Sequence, residues 1–351
     1  MDKVKARIKD IAEMAGVSHG TVDRVIHNRG EVSEITKQKI QQIIQELNYE
    51  PDLSARRLAS GKTYKLAVCI PHAQQESSFW QSPIIGIDKA ISEISHLGVT
   101  SRKFLFDQFN KDSFKEKINK IIESEPDGVI LAPVFSGEAY RLLRYCEQNQ
   151  IPYVFINSDL EGKNNISFIG QDDNQSGRVA GKLMKNCLSE GDEVLVLHLA
   201  KSVDTHPHLK NRQKGFETIV GDKIRINHLN IKSNKDSVIT HNLKAHLEKH
   251  PNTKGIFVTN SKAFKVAQFL DKHHTDLLLI GYDLTEENLI HLEKETIDYL
   301  ISQKPFDQGY ISVRTLFNSL VLNKPVEKEY KLPIEIIIKE NVNHQNISNA
   351  L

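Results

Sequence analysis

Two textures of apolar and polar positions follow one another along the chain. In the first sixty residues the apolar positions recur at helical spacing in short blocks. Ile8, Ile11, Ala12 and Ala15 share one face, so "IKDIAEMA" predicts a short amphipathic helix that Gly16 closes. The Ser18 hydroxyl can accept from an unpaired amide at the start of a second helix, whose inward positions are Val22, Val25 and Ile26. His19, Gly20, Asp23, Arg24 and His27 fall on its outer side. Asn28-Arg29-Gly30 breaks the chain, and Ser33 caps a third helix striped by Ile40, Ile43, Ile44 and Leu47. Two short helices joined by a glycine turn, with a third in support, make a helix-turn-helix unit. Such a unit presents its second helix to a DNA major groove. The same pattern also suits a plain three-helix module for protein contacts.

From Tyr64 the texture changes. Short apolar runs ("KLAVCIP", "SRKFLF", "GVILAPV", "IPYVFIN", "ISFIGQD", "EVLVLHL", "INHLNI", "GIFVTN", "LLLIGYD") alternate with helical patterns. This predicts βαβ units on parallel sheets. Nine or more strands are many for one sheet, and the texture repeats near Asn165, so two doubly wound α/β lobes are expected. Right-handed crossovers put the loops that follow the strands on one edge of each sheet, and ligands bind where such edges face each other. The expected division is a helix-turn-helix domain over 1–50, a hinge and linker over 51–63, and a two-lobed domain over 64–351. One lobe should comprise 64–160 plus 299–325, the other 161–298 plus 326–351.

Composition narrows the class only a little. The 351 residues are 39% hydrophobic and 26% charged, with a net charge of +1, so no overall field points to nucleic acid or membrane. Residues 1–62 hold 11 Lys/Arg against 9 Asp/Glu, a mild basic bias. No secretory leader is visible, and no apolar run approaches the ~18 residues of a membrane span. Cys69, Cys146 and Cys187 are odd in number and far apart, which suits a reduced, cytoplasmic protein.

The stretch "IKDIAEMAGVSHGTVDRVIHNRGEVSEITKQKIQQIIQELNYEPDLSARRLASGKT", Ile8 to Thr63, resembles the LacI/GalR family of bacterial transcription regulators. It carries "DIA..AGVS..TV.RV", "VS..T...I", "LNY.P" and the "AR.LAS" hinge. The resemblance implies that His19 and Gly20 hold the base-reading positions, that Arg24 contacts a base or phosphate, and that Thr21 contacts a phosphate. Ile8, Lys9, Ser18, His27, Ser33 and Thr36 complete the implied DNA-facing set. Gly20 has no side chain, so readout should lean on His19 and on Arg24, which favours guanine O6 and N7. Asp23 departs from the small hydroxyl residue usual there, and should pair with a cation or accept from a cytosine amine. In the hinge, Pro51 blocks helix continuation and Asp52 can cap a short helix. The resemblance makes Leu58 a minor-groove wedge, with Ala55 and Arg56 beside it. It also implies a homodimer on a near-palindromic operator. The closing "KENVNHQNISNAL" has no leucine heptads, which favours a dimer over a tetramer.

Beyond Tyr64 the chain is similar, more weakly, to the type I periplasmic-binding-protein fold that such regulators carry as an effector domain. The resemblance implies a sugar or sugar-derivative effector between the lobes. Phe79 and Trp80 would stack on the sugar ring; Trp80 is the only tryptophan. An ordinary core aromatic pair is the other reading. Arg212 would fork two hydroxyls, and Asn260, Asp283 and Gln303 would supply further donors and acceptors. Asn157 departs from the aspartate common at its position, and Asp159 is close enough in sequence to compensate. Ser261 stands where an aspartate is usual. Asp173 should cap the helix it opens or contact the other lobe.

Enzyme readings lack support: there is no GxSxG, no GxGxxG after a strand and no HExxH. Cys146 falls in a helical pattern as a core residue. "HPH" at His206–His208 lacks a third ligand in sequence, so neither metal nor cofactor is expected. The rival function is a solute receptor that delivers its ligand to a transporter, and a remoter one is a sugar-modifying enzyme.

Overall fold

The structure, a computed structural model, describes residues 6–26, 29–47, 49, 61–73, 75, 77–160, 162–200 and 207–342. The hinge positions Pro51, Asp52, Ala55, Arg56 and Leu58 lie outside the described residues, as do His27, Asn28, His206 and the closing segment 343–351. The chain divides into two compact units, residues 1–62 and 63–351.

Among its described residues the first unit has three helices: α1 (Ile8–Ala15), α2 (His19–Ile26) and α3 (Glu34–Glu46). The anticipated boundary groups form them. Gly16 takes a left-handed φ of 71°, and its amide returns to Ala12 and Glu13. Ser18 Oγ accepts from the Thr21 amide at 3.2 Å, and Ser33 Oγ accepts from the Thr36 amide at 3.3 Å. Ile11, Ala12, Ala15, Val22, Val25, Ile40 and Ile43 form one buried cluster, with Ile8, Val17, Ile26, Ile44 and Leu47 packed around it. Lys39 reaches from α3 to donate to the Ala15 carbonyl at 3.0 Å, which meets one of the acceptors left over at the end of α1.

The second unit holds two sheets with the same strand order. The first lobe is built from β1 (Tyr64–Pro71), α4 (Gln81–Ile94), β2 (Val99–Phe106), α5 (Lys111–Glu123), β3 (Gly128–Leu131), α6 (Ser136–Gln148), β4 (Tyr153–Ile156) and β5 (Ser167–Gly170). The second comprises α7 (Asp173–Cys187), β6 (Glu193–Leu199), α8 (Pro207–Val220), β7 (Arg225–Ile231), α9 (Asp236–Lys249), β8 (Thr253–Val258), α10 (Ala263–His273), β9 (Leu278–Tyr282), α11 (Glu286–Glu293) and β10 (Tyr299–Ser302). Helix α12 (Pro305–Leu320) and β11 (Glu329–Lys331) return to the first lobe, and β12 (Glu335–Ile337) ends in the second. The sheet orders are β11-β5-β4-β3-β1-β2 and β12-β10-β9-β8-β6-β7. All pairings are parallel except β10 with β12.

The lobe boundaries differ from those expected. β5 belongs to the first sheet rather than the second, β10 to the second rather than the first, and β11 to the first rather than the second. The sequence misleads because β4 and β5 are parallel neighbours joined by residues 157–166 without a helix. Parallel pairs ordinarily need a longer, helical crossover, so a helix-free join looks like a change of lobe.

Within the second lobe α7 and α8 cross at backbone contact. A Cβ on Gly215 would lie 1.9 Å from the Asn174 carbonyl oxygen, and one on Gly177 would lie 2.0 Å from that of Arg212. This approach brings Asp173 at the start of α7 against Arg212 on α8. Gly215→Ala should therefore force the helices apart and destabilise the protein by about 1–3 kcal/mol or more, read as a lower urea midpoint.

Candidate functional site

The first unit presents one polar helix face. His19, Gly20 and Arg24 are exposed on α2, while Thr21 and Asp23 are half-buried. The Ser18 and Thr21 hydroxyls bond each other at 2.9 Å, and Ser33 and Thr36 repeat the arrangement at 2.8 Å. All four hydroxyls thus sit at helix starts, where amide groups and the helix dipole favour phosphate. Lys9 is exposed and lies 3.7 Å from Glu13, a spacing that contributes little in water. Ile8 is half-buried, and its side chain packs on the three-helix core as a continuation of the α1 stripe.

The second unit encloses a cavity of about 170 Å3 between its lobes. That is far above the roughly 10–15 Å3 a single water needs, and leaves room for a small polar molecule. Lobe one contributes Phe79, Trp80, Phe109, Asn157 and Asp159 to the wall, and lobe two contributes His208, Arg212, Asn260, Ser261 and Lys262. Gln303, at the crossing between lobes, joins them. Phe79 and Trp80 are nearly buried and meet edge to face, with centroids 5.1 Å apart at 88°. One ring plane therefore lies roughly perpendicular to the other, an edge-to-face arrangement that aromatic pairs prefer.

Arg212 is the most heavily bonded side chain in the wall. It is 1% exposed. Its Nε donates to Asp173 Oδ1 at 3.1 Å, and Nη1 donates to the Thr259 carbonyl at 2.9 Å. Its Nη2 donates to Gln303 Oε1 and lies 3.0 Å from Asp173 Oδ1. The Tyr282 ring lies 4.0 Å beneath its Cζ. Three of the five N–H groups that a guanidinium has donate to these partners, so most of the side chain is spent on the fold.

Asp173 corrects a second expectation. The cap of α7 is Asp172, whose carboxylate accepts from the Gln175 amide at 2.9 Å. Asp173 instead pairs with Arg212 inside its own lobe. Burial pushes its carboxyl upward, against the pull of that cation.

Asp283 lies one layer behind the wall. Its Oδ1 accepts from the Gln303 amide at 3.2 Å and its Oδ2 from Gln303 Nε2 at 2.5 Å. It borders a separate pocket of about 60 Å3, shared with Ser82, Thr285 and Lys304. Asp283, Gln303 and Arg212 thus form a chain of charge-assisted bonds, in which Gln303 and Arg212 line the cavity and Asp283 stands behind it. Burial pushes the Asp283 carboxyl up to about 6, although Arg212 and the two Gln303 bonds favour the charged form.

Asn260 reaches the wall as expected, but its amide is engaged with the fold. It donates to the Leu199 carbonyl at 3.0 Å and accepts from the Lys262 amide at 3.3 Å. Asn157 holds a left-handed φ of 67°, a conformation that Asn tolerates better than most residues. Lys262 was not anticipated. The residue is 8% exposed, and its ammonium donates to the Leu199 carbonyl at 2.9 Å and to Asn234 Oδ1 at 3.0 Å. A lone lysine after a strand offers no periodic signal that separates it from a surface lysine. Cys146 is buried in the core of the first lobe, where burial pushes its thiol up to about 12. Among the described residues no group of three His, Cys, Asp or Glu is placed to hold a metal.

The chain matches two family models: bacterial regulatory proteins, lacI family, over residues 7–52, and periplasmic binding protein domain over residues 67–324. The ribose operon repressor of Halalkalibacterium halodurans is 26% identical, over 98% of this chain and 99% of its own. The HTH-type transcriptional regulator MalR of Streptococcus pneumoniae is 25% identical, over 90% and 93%. Among solved structures, one described as a LacI transcriptional regulator from Bacteroides fragilis has a TM-score of 0.73 and 27% identity, covering 80% of this chain and 98% of that one. The glucose-galactose binding protein GanP of Geobacillus stearothermophilus has a TM-score of 0.68 at 21% identity, covering 80% and 99%, and shares the fold.

The buried Asp283 carboxyl yields a pH prediction. Its folded value, about 6, lies above the ordinary 3.8, so between about pH 4 and 6 the folded state holds a proton that the unfolded state has released. Stability should therefore fall as pH rises through that window, by on the order of 1–3 kcal/mol, and be level with respect to this group above it. Asp283→Asn should abolish this part of the slope. Urea titrations of both proteins at pH 4, 5, 6 and 7 measure it, and parallel pH profiles would refute it.

Proposed function

The chain belongs to the lacI family of bacterial regulatory proteins, DNA-binding regulators of transcription, and we propose that its operator affinity is set by a sugar or sugar derivative bound between the two α/β lobes. The observation that supports this most is the cavity itself. An aromatic pair stands on one lobe, and a wall of hydrogen-bonding groups braced by Arg212 stands on the other. Polyols need both: an apolar C–H face to stack, and neighbours that donate and accept. The names of its relatives point the same way, since they are repressors and regulators of sugar operons.

In this reading Phe79 and Trp80 stack on the ring. Asn157, Gln303, Asn260 and Arg212 meet its hydroxyls. His19 and Arg24 read bases, and Ser18, Thr21, Ser33 and Thr36 hold phosphates. The protein acts as a cytoplasmic homodimer on a near-palindromic operator and catalyses no reaction. A receptor role without DNA would leave the exposed polar face of α2 without a task.

Two outcomes test the proposal. Thermal-shift screening against pentoses, hexoses, their phosphates and uronic acids should raise the melting temperature for at least one class. Trp80→Ala should weaken that ligand by about 1–2 kcal/mol while sparing operator binding. For DNA, Arg24→Ala should weaken operator binding by about 1–3 kcal/mol and relax one base position in a panel of operator variants. An unchanged base preference would place Arg24 on phosphate alone.

A further inference from the structure

The loop that carries the aromatic pair also fastens the lobes together. Between β1 and α4 of the first lobe, residues 77–80 read Ser-Ser-Phe-Trp. The Ser77 hydroxyl bonds the Ser261 hydroxyl of the second lobe at 3.0 Å. The Ser78 hydroxyl donates to Glu287 Oε2, also in the second lobe, at 3.0 Å. Ser77 and Ser261 both line the cavity, so a bound molecule can compete with or complete their bond. Ser78 and Glu287 do not line it. Ser78 borders the smaller pocket beside Asp283, and Glu287 is half-buried in the first turn of α11.

We infer that Glu287 and Ser78 form a clasp that holds the lobes closed and thereby fixes Phe79 and Trp80 against the cavity. Glu287 is a positioning residue: it touches no ligand and acts through the loop. Four consecutive residues carry both the stacking surface and two bonds to the opposite lobe, so opening the lobes must strip those bonds and move the rings away from the facing wall. The bond is charge-assisted, which makes it the stronger of the two. It therefore weights the closed state before any ligand enters. The inference builds on the reading of the cleft as the effector site, but its test needs no sugar.

Trp80 is the chain's only tryptophan and is 6% exposed, so quenching of its fluorescence by acrylamide reports the state of the clasp. In the full-length protein without added sugar, Glu287→Ala and Ser78→Ala should each raise the quenching constant by roughly twofold or more as the open state gains population. The double variant should be no more exposed than either single one, because both remove the same bond. Glu287→Gln keeps an oxygen that can accept from Ser78 and should stay close to wild type. Unchanged quenching in Glu287→Ala would overturn the clasp. So would a Glu287→Gln variant as exposed as the alanine one, since that would assign the effect to the carboxylate's charge at the start of α11. A protein that passes this test yet binds no sugar in the screen would refute the effector reading and leave the clasp standing.

Discussion

A guanidinium that cannot lose its proton is buried at the centre of the second unit, and the cleft is arranged around that fact. Arg212 must have its charge and its donors met wherever it lies, since removing one partner of a buried pair costs about 3–5 kcal/mol. Meeting them ties together α7 through Asp173, the end of β8 through the Thr259 carbonyl, the end of β9 through the Tyr282 ring, and the crossing between lobes through Gln303. The glycine contact between α7 and α8 is what lets Asp173 reach it. One wall of the cavity is therefore set before a ligand arrives, which reduces the ordering cost of binding.

The two lobes repeat one topology and use equivalent positions differently. Asn157 follows β4 and Asp283 follows β9; both have left-handed backbones, and their amides donate to Ile169 and Ile301 at 3.2 and 3.0 Å. Asn157 faces the cavity, whereas Asp283 is buried behind it. Gln171 follows β5 and Gln303 follows β10. The Gln171 amide donates to the carbonyls of Ser302 and Pro333 at 3.0 and 3.2 Å, so one side chain joins all three segments that cross between lobes. Gln303 accepts from Arg212 and donates to Asp283, so its two ends link opposite charges. An amide serves both tasks because it carries a donor and an acceptor a fixed distance apart.

This double use explains what the sequence disclosed and what it withheld. The three N-terminal helices were legible because Gly16, Ser18 and Ser33 act within a few residues of their own positions. The strand-helix alternation and the aromatic pair at Phe79 and Trp80 were legible for the same reason. The lobe boundaries were not, because they depend on which sheet accepts a strand, and β5 joins its neighbour without a helix. Asp173 and Asp283 were recognised as important but given the wrong neighbours. Whether a carboxylate meets a ligand or another side chain is decided by residues about 20–40 positions away, such as Arg212 and Gln303.

The size of the bonds between the lobes bears on how such a protein can switch. The Ser78–Glu287 clasp and the neutral Ser77–Ser261 bond together contribute only about 1–3 kcal/mol net, because water replaces the partners on opening. The closed state gains roughly five- to 150-fold from this source, an increment of the same size as the differential affinity by which a ligand biases one state over the other. A hydrophobic seam of several buried side chains across the same boundary would hold the lobes too firmly for a small polar molecule to matter. The cleft instead joins its halves with serines and a glutamate, and reserves its large apolar clusters for the interior of each lobe, as in the separate cores around Phe114 and Leu243. Rigid lobes with a weakly fastened boundary are the condition under which a ligand's differential affinity, rather than its total affinity, controls the state of the protein.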